Sequence, residues 1–492
     1  MDVQGRTFTQ QSLNAKFEDW NRSHSLFVAT DIIGTALLIE SANTLRIHQV
    51  ADAILSPGSY ASAAARRAAQ LVLARHSSHH ATAAESEREL NTQVAPHPSL
   101  TRAHLYARVH EARDSVRRDL RSSLRWVELS QAWTLAGQID RATEAMTNAI
   151  SLAPNNRYVL RSATRLFVHA QQEEKAWWLL RGAERTPYDP WLLAAEVGVA
   201  GLLGQTPRFA KKGIALAASG NFGFRDLTEL ASGLGTLESE HGHGKKARKL
   251  FRIALSDPNE NVLAQAAWGA RTHTVLNIDA DYLTAPLSFE AKARLCFRRK
   301  EWDQALVESQ NWFNDQRFAV NAATFASHVA VVLARHDQAV AILKAAQMAN
   351  PDSWILKNNL AFSLASLDRL EEAREVFADL PAEGPDSDDH AIWLATSGLL
   401  EFRSGNIVEG QRLYDESIAT FAQQSLYSLR AIAAIFKARE ELNAKLESAC
   451  ASVEIAKEFA AKATDVELQT LIAQLERPPE QEKIPLEVSN DA

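Results

Sequence analysis

The spacing of small and apolar residues between Arg125 and Asn156 constrains the fold of this chain more than any other feature. The stretch reads RWVELSQAWTLAGQIDRATEAMTNAISLAPNN. Trp126, Leu129 and Trp133 are spaced three and four residues apart, which places them on one face of a helix. A break follows at Gly137, and a second helix then carries its own apolar stripe. This stripe consists of Ala142, Met146 and Ala149.

These features predict a hairpin of two helices with a built-in stop. Ala142 is small enough for the two helix axes to cross at short distance. Pro154 cannot lie inside a helix and therefore ends the unit, and Asn155-Asn156 favour a turn into the next one. One hairpin cannot bury its own apolar face, so the pattern requires stacked neighbours.

The same pattern returns in steps of about 34 residues between Ser123 and about Ala422. The third unit is among the weaker ones, and we expect its buried stripe at Ala210, Ile214 and Ala217. The phase breaks after the fourth unit, where we expect an extra helix and a loop. The first small residue of the second helix in successive units is Ala142, Ala176, Ala210, Ala247, Ala305, Ala339, Ala373 and Gly410.

The offsets resemble those of the tetratricopeptide repeat, whose signature of about 34 residues is W-x-x-L-G-x-x-Y, then A-x-x-x-F, then P. Ser130 replaces the usual glycine and Trp133 the usual tyrosine. The resemblance implies an all-α, right-handed α-solenoid of TPR-like helix-turn-helix hairpins with helical N- and C-terminal caps. It also implies a non-catalytic scaffold or adaptor that binds a partner protein or peptide in a concave groove, with a bacterial regulatory or defence system as one setting.

The resemblance also assigns residues to the groove, which the first helix of each hairpin lines. Arg165 and Arg294 fall in equivalent slots, with His328 a third and Arg161 one turn earlier. A row of such donors would suit an acidic or carboxylate-bearing peptide, although the lysines of the dicarboxylate clamp in chaperone-binding members are missing. In the first hairpin the assigned slots are Leu124, Val127, Gln131 and Thr134. The proposed partner-binding set is Gln131, Arg161, Arg165, Arg294, His328, Asn358 and Phe362.

Two clusters of basic residues leave a second function open. The cluster at 102–125 mixes arginines with Glu111, Asp114 and Asp119, and the cluster at 245–252 reads KKARKLFR. Such residues can contact phosphates and give salt-sensitive binding of nucleic acid. Charged runs on helices more often form a solvated face. A nucleic-acid-associated regulator is therefore the alternative to the protein-binding adaptor.

The sequence shows no motif for catalysis, a cofactor or a metal. The run GHGKKA around Gly244 comes closest to a phosphate-binding loop but lacks its spacing, and His241 and His243 have no third ligand nearby. A third hypothesis places a strand at Leu26–Ala29, with Asp31 as the first acid of a catalytic N-terminal domain; such a site needs several converging carboxylates. We therefore predict that the protein is not an enzyme and holds no cofactor or metal.

Composition favours a soluble, cytoplasmic protein. Of its 492 residues 46% are hydrophobic and 23% charged, and the net charge of −7 gives no global attraction to nucleic acid. Cys296 and Cys450 lie far apart, so no disulfide framework is expected and a reducing compartment fits. The most apolar runs, Leu26–Ile39 and Trp191–Gly204, each contain an acid and are shorter than the roughly 20 residues that span a membrane.

Changes in pattern divide the chain into segments. We predict a divergent helical N-terminal region (1–100) with a polar linker at 76–99, a first array (101–260), a phase break with an extra helix and loop (261–286), a second array (287–422), C-terminal capping helices (423–476) and a disordered tail (477–492).

Overall fold

The computed structural model describes a helical protein, and its described residues contain no strand. They are residues 13, 16–18, 20, 21, 24, 26–38, 44–56, 63–77, 101–272 and 287–476. The predicted linker lies outside the described residues from residue 78 onward. So do the loop of the phase break from residue 273 and the predicted tail at 477–492.

The chain divides into two compact units, residues 1–258 and 259–492. The boundary falls close to the predicted end of the first array at residue 260. The extra helix expected in the phase break is present as α13 (Glu260–Thr272) and belongs to the second unit.

The N-terminal part of the first unit includes α1 (Leu26–Leu38), α2 (Thr44–Leu55) and α3 (Ala63–Ser77). The strand hypothesized at Leu26–Ala29 is wrong, because the apolar residues there recur at helical spacing and pack into a helical core. The buried residues of α1 include Ala29, Ile32, Ile33 and Ala36. Asp31 points away from this core and pairs with Lys16. Among the described residues no group of acidic, histidine or cysteine side chains could hold a metal ion.

The rest of the first unit is built from consecutive helices that pack on their neighbours. A lead helix precedes hairpins α5–α6, α7–α8, α9–α10 and α11–α12, which we call the first array. The bounds are α4 (Arg102–Arg118), α5 (Ser123–Leu135), α6 (Ile139–Leu152), α7 (Arg157–His169), α8 (Glu173–Gly182), α9 (Pro190–Leu202), α10 (Ala210–Ala218), α11 (Phe224–Glu240) and α12 (Gly244–Ala254).

The second unit repeats this arrangement. Hairpins α14–α15, α16–α17, α18–α19 and α20–α21 form the second array, and α22, α23 and α24 follow where capping helices are predicted. The bounds are α14 (Phe289–Arg298), α15 (Trp302–Asp315), α16 (Val320–Val332), α17 (His336–Ala349), α18 (Trp354–Ser366), α19 (Leu370–Ala378), α20 (Asp389–Arg403), α21 (Ile407–Gln423), α22 (Tyr427–Asn443), α23 (Ala449–Lys462) and α24 (Leu468–Leu475).

The turn inside a hairpin places one residue in the left-handed region of backbone space. Gly137 does so after α5, with φ of 71°, and Ala334 does so after α16, with φ of 57°. The next amide then bonds back to the helix: Arg335 N donates to the carbonyl oxygen of Ala330 at 2.8 Å. This closure satisfies carbonyls that the helix end leaves open. Other turns with such a residue are at Gln171, Gly204, Gly242, Lys300, Asp368, Gly405, Ser425 and Lys445.

Small residues sit where the two helices of a hairpin cross, as predicted. Ala142, Ala176, Ala247, Ala305, Ala339 and Ala373 are fully buried. The third hairpin differs: Gly213 is buried and Ile214 is 42% exposed, so the predicted register is wrong there. A Cβ on Gly213 would lie 3.2 Å from Leu230 Cδ1, which explains why the residue of closest approach is a glycine. The all-α hairpin solenoid predicted from the sequence is confirmed.

Candidate partner-binding site

The first helices of the hairpins present one face in each array, which we call the first-helix face. In the first array Arg161 of α7 crosses this face and reaches two helices further along the stack. Its Nη2 lies 2.7 Å from Oε2 of Glu229 on α11. Its guanidinium carbon lies 4.9 Å from the ring centroid of Trp191 on the intervening helix α9. Arg161 is therefore already paired with a carboxylate of its own chain.

Tyr158, Gln131 and Arg165 form an open polar patch beside this ion pair. Tyr158 is 50% exposed, and the side chains of Gln131 and Arg165 are exposed as well. Burial at its hydroxyl and the nearby Glu128 carboxylate raise the pKa of Tyr158, while hydrogen bonds with Gln131 and Ser162 and the charge of Arg165 act in the opposite direction. Tyr158 of α7 therefore lies close to Glu128 and Gln131 of α5 and to Arg165 of its own helix.

Arg165 differs from the other predicted cations because no carboxylate of the described residues pairs with it. The patch thus offers a free guanidinium, an amide and an exposed aromatic ring on adjacent turns. A guanidinium can hold a carboxylate through two parallel hydrogen bonds, and a tyrosine ring adds apolar contact at low entropic cost.

The exposed stripe of α5 is shifted from the predicted one. Val127 and Thr134 are buried, because they face the packed interior of the array. Glu128 lies on the exposed side with Gln131 instead, and burial raises the pKa of its carboxyl, with Arg125 acting against the rise. Sequence reasoning missed Glu128, Trp191 and Glu229. A signal for Glu128 was available, since it lies three residues before Gln131 on the same helical face.

In the second array Arg294 is held by its own surroundings. Its Nε lies 2.9 Å from Oε1 of Glu290, one turn earlier on α14. Its guanidinium carbon lies 5.3 Å from the ring centroids of Trp312 and Phe325. In the second array the position equivalent to Arg165 is thus occupied by an arginine that pairs with a carboxylate and stacks on aromatic rings.

His328 of α16 pairs with the C-terminal segment of the same chain. Its Nε2 lies 3.4 Å from Oε1 of Glu467, a carboxylate that is almost fully buried. At the other end of α24, Gln474 Nε2 donates a hydrogen bond of 2.7 Å to the carbonyl oxygen of Val332. The apolar side of α24 packs on α22 and α23 through Leu468, Leu471 and Ile472. Helix α24 therefore covers the first-helix face at α16.

Phe362 and Asn358 are also engaged within the second array. The Phe362 ring on α18 lies 4.9 Å from the ring of Phe436 on α22, centroid to centroid. The Arg439 guanidinium lies 5.8 Å from the same ring. Asn358 is only 2% exposed, so a partner has no access to its amide.

A buried ionic cluster ties α20 and α22 together nearby. Arg403 Nε lies 2.6 Å from Oε2 of Glu440, and Arg439 Nε lies 2.8 Å from Oε1 of the same carboxylate. His336 is buried close to them. Burial, and then the charges of Arg439 and Arg403, lower the pKa of His336 to about 3. In the second array, contacts within the chain thus occupy the first-helix face.

Residues 334–396 match the family model of the tetratricopeptide repeat. Over this stretch the chain is similar to the tetratricopeptide repeat. The matched stretch covers TPR helices α17, α18 and α19 and the first part of α20, so the resemblance seen in the sequence is confirmed. No curated protein sequence matches the chain.

Solved TPR-like structures resemble the chain distantly. The crystal structure of yeast Tom70 is 13% identical, covers 75% of this chain and 91% of that chain, and gives a TM-score of 0.29. The Cut9–Hcn1 hetero-tetramer of the APC/C is 12% identical, covers 69% and 71%, and gives 0.32. A TPR protein from Parabacteroides merdae ATCC 43184 is 10% identical, covers 63% and 98%, and gives 0.25. Similarity of this extent says nothing about a partner.

Among the described helices, none is long and apolar enough to cross a membrane. In the loop before α12, His243 Nδ1 lies 2.7 Å from Oε2 of Glu238.

Proposed function

We propose that the protein is an adaptor that binds a partner protein on the first-helix face of its first array. An extended segment of the partner lies along α5, α7 and α9 and places a carboxylate, from an acidic side chain or a C-terminus, on Arg165. Tyr158 and Gln131 contact the same segment. This surface is suited to the extended peptides or helices that repeat arrays bind.

The observation that carries the proposal is the difference between Arg165 and the other predicted cations. Arg161, Arg294 and His328 each have a carboxylate of the same chain beside them, in Glu229, Glu290 and Glu467. Arg165 is exposed beside an exposed tyrosine and has no such partner among the described residues. A charge held at a preorganized surface in this way can receive a carboxylate without first breaking an internal pair.

An affinity pull-down with quantitative mass spectrometry tests the proposal. The bait proteins are the full-length wild type, Arg165→Glu and, as a matched control, Arg113→Glu, which reverses an exposed arginine on α4. We expect Arg165→Glu to lose at least one partner that both other baits retain. If all three baits capture the same proteins in the same amounts, the assignment of this face is wrong. Cytoplasmic localization and a bacterial regulatory or defence setting stay predictions.

A further inference from the structure

The second helices of the third and fourth hairpins carry basic residues on their solvent side. Helix α12 buries Ala247, Leu250, Phe251 and Ala254. Four of its exposed residues form one stripe along the helix, because Arg248, Lys249 and Arg252 follow Lys245 by three, four and seven positions. Lys211 and Lys212 are exposed on α10. We call these six residues the outer basic face.

Helices α10 and α12 both pack on α11. Gly213 of α10 approaches Leu230 and Leu234 of α11, and Phe251 of α12 covers Gly235 of α11. Side chains of all three helices join one apolar cluster. The basic residues of α10 and α12 therefore lie on the solvent-exposed sides of two helices that both pack on α11 in the first unit.

The outer basic face contains no acid. Neither AKKGIALAA (α10) nor GKKARKLFRIA (α12) includes Asp or Glu. The nearest carboxylate with a contact to either helix, Glu238, lies 3.7 Å from Lys246 and already binds His243. Within the described part of the chain, none of the six cations of the face has an ion-pair partner. On a chain of net charge −7 this is a local reversal of sign.

The other basic cluster, at 102–125, is built differently. Arg117 pairs with Asp114 at 3.1 Å, and Arg118 donates to the carbonyl oxygen of the same residue. Arg125 donates to the carbonyl oxygen of Ser115 at 2.9 Å. Arg117 and Arg118 are part of a mixed, solvated face of α4, and Arg125 ties α5 to α4, so the structure separates two clusters that look alike in the sequence.

An exposed aromatic ring borders the outer basic face. Tyr188, in the turn before α9, is 70% exposed, and Lys212 Nζ lies 4.9 Å from its ring centroid. Proteins that bind single-stranded nucleic acid combine cations along the backbone with aromatic rings on which bases stack. A membrane surface is a less suitable partner, because the apolar side of α12 is buried in the core and is not available to insert into a bilayer.

We propose that the outer basic face binds the phosphate backbone of single-stranded nucleic acid, with Tyr188 stacking on a base. The site lies on the second helices and is therefore independent of the protein-binding face on α5 and α7. An adaptor with both surfaces would bring a protein partner to a nucleic acid.

Fluorescence anisotropy of the full-length protein with a labelled oligouridine of about 20 nucleotides, titrated from about 50 mM salt upward, tests the proposal. We expect binding whose affinity falls steeply with salt. Lys245→Glu/Lys249→Glu should weaken it at least about tenfold, whereas the matched double reversal Arg117→Glu/Arg118→Glu should change it by less than about twofold. Circular dichroism of both variants shows that the fold is kept.

Further binding measurements distinguish nucleic acid from other polyanions as the ligand of this face. Tyr188→Ala should weaken oligouridine binding about fivefold or more and leave heparin binding unchanged, because heparin offers no base to stack. Absence of oligouridine binding at low salt would overturn the proposal. Equal losses in the two double variants, or binding to phosphatidylserine vesicles without binding to oligouridine, would overturn it too. None of these results changes the Arg165 pull-down, so the two proposals fail separately.

Discussion

The guanidinium of Arg161 reaches from α7 across α9 to the carboxylate of Glu229 on α11, at 2.7 Å, and rests against the ring of Trp191. This single side chain links three consecutive hairpins along one face. Arg161 and Arg165 lie one turn apart on α7, but Arg161 pairs with a carboxylate of its own chain. We therefore assign Arg161 to the stability of the first array and Arg165 to binding.

The two arginines should respond differently to removal. Arg161→Ala removes the ion pair with Glu229 and uncovers Trp191, so we expect the free energy of unfolding to fall by about 1–2 kcal/mol. Arg165→Ala removes an exposed side chain and should change it by no more than about 0.5 kcal/mol. Urea unfolding followed by circular dichroism measures both. Equal effects of the two substitutions would contradict the assignment.

Helix α24 should depend on its contacts with α16. Glu467→Gln together with Gln474→Ala weakens the two polar contacts and keeps the apolar side of α24 intact. Each contact is worth about 1 kcal/mol, so loss of both should accelerate amide exchange in 468–475 by up to about thirtyfold while exchange in 427–443 stays as it was. Gln469→Ala, an exposed change on the same helix, is the control and should leave exchange unaltered. If the double variant exchanges like the control, α24 is held by its apolar side alone.

The buried His336 should make the second unit sensitive to acid. Its folded-state pKa is lowered from 6.5 to about 3. Below pH 6.5 His336 is therefore protonated in the unfolded chain and still neutral in the folded chain. As the pH falls, the free energy of unfolding decreases by up to about 1.4 kcal/mol per pH unit until the folded-state pKa is reached. The stability advantage of the wild type over His336→Gln should accordingly shrink between pH 7 and about 4.5. Chemical unfolding across this range should give no such trend for the exposed His390→Gln.

A turn residue offers a stabilizing substitution. Ala334 holds φ of 57°, where a side chain costs about 1 kcal/mol and glycine does not. After the larger entropy loss of glycine, Ala334→Gly should raise the free energy of unfolding by about 0.5 kcal/mol. Ala330→Gly, inside α16 and fully buried, should lower it by about 1 kcal/mol or more. A destabilizing effect of Ala334→Gly would show that its methyl group makes contacts that outweigh the strain.

The hairpins were predictable because their determinants are local. Ala142 and Ala339 lie at a helix crossing set by residues within one unit, so spacing alone finds them. The third unit was placed out of register because Gly213, rather than Ala210, meets Leu230 and Leu234, and a glycine gives no signal in an apolar pattern.

The candidate site was only partly predictable, because the groups that pair with its polar side chains lie far along the chain. Glu229 lies 68 residues from Arg161, and Gln474 lies 142 residues from Val332. Neither contact has a local sequence signature. The predicted set therefore mixes exposed residues such as Arg165 with the buried Asn358, and only the structure separates them.

The central claim is that the first-helix face of the first array is open to a partner, whereas contacts within the chain cover the first-helix face of the second array. Site-specific photo-crosslinking tests this claim most directly. A benzoylphenylalanine placed at Gln131 or, in a separate protein, at the exposed Asn321 of α16 is irradiated in the presence of the captured partner. We predict a crosslinked product from position 131 and none from position 321. A product from position 321 without one from position 131 would contradict the account.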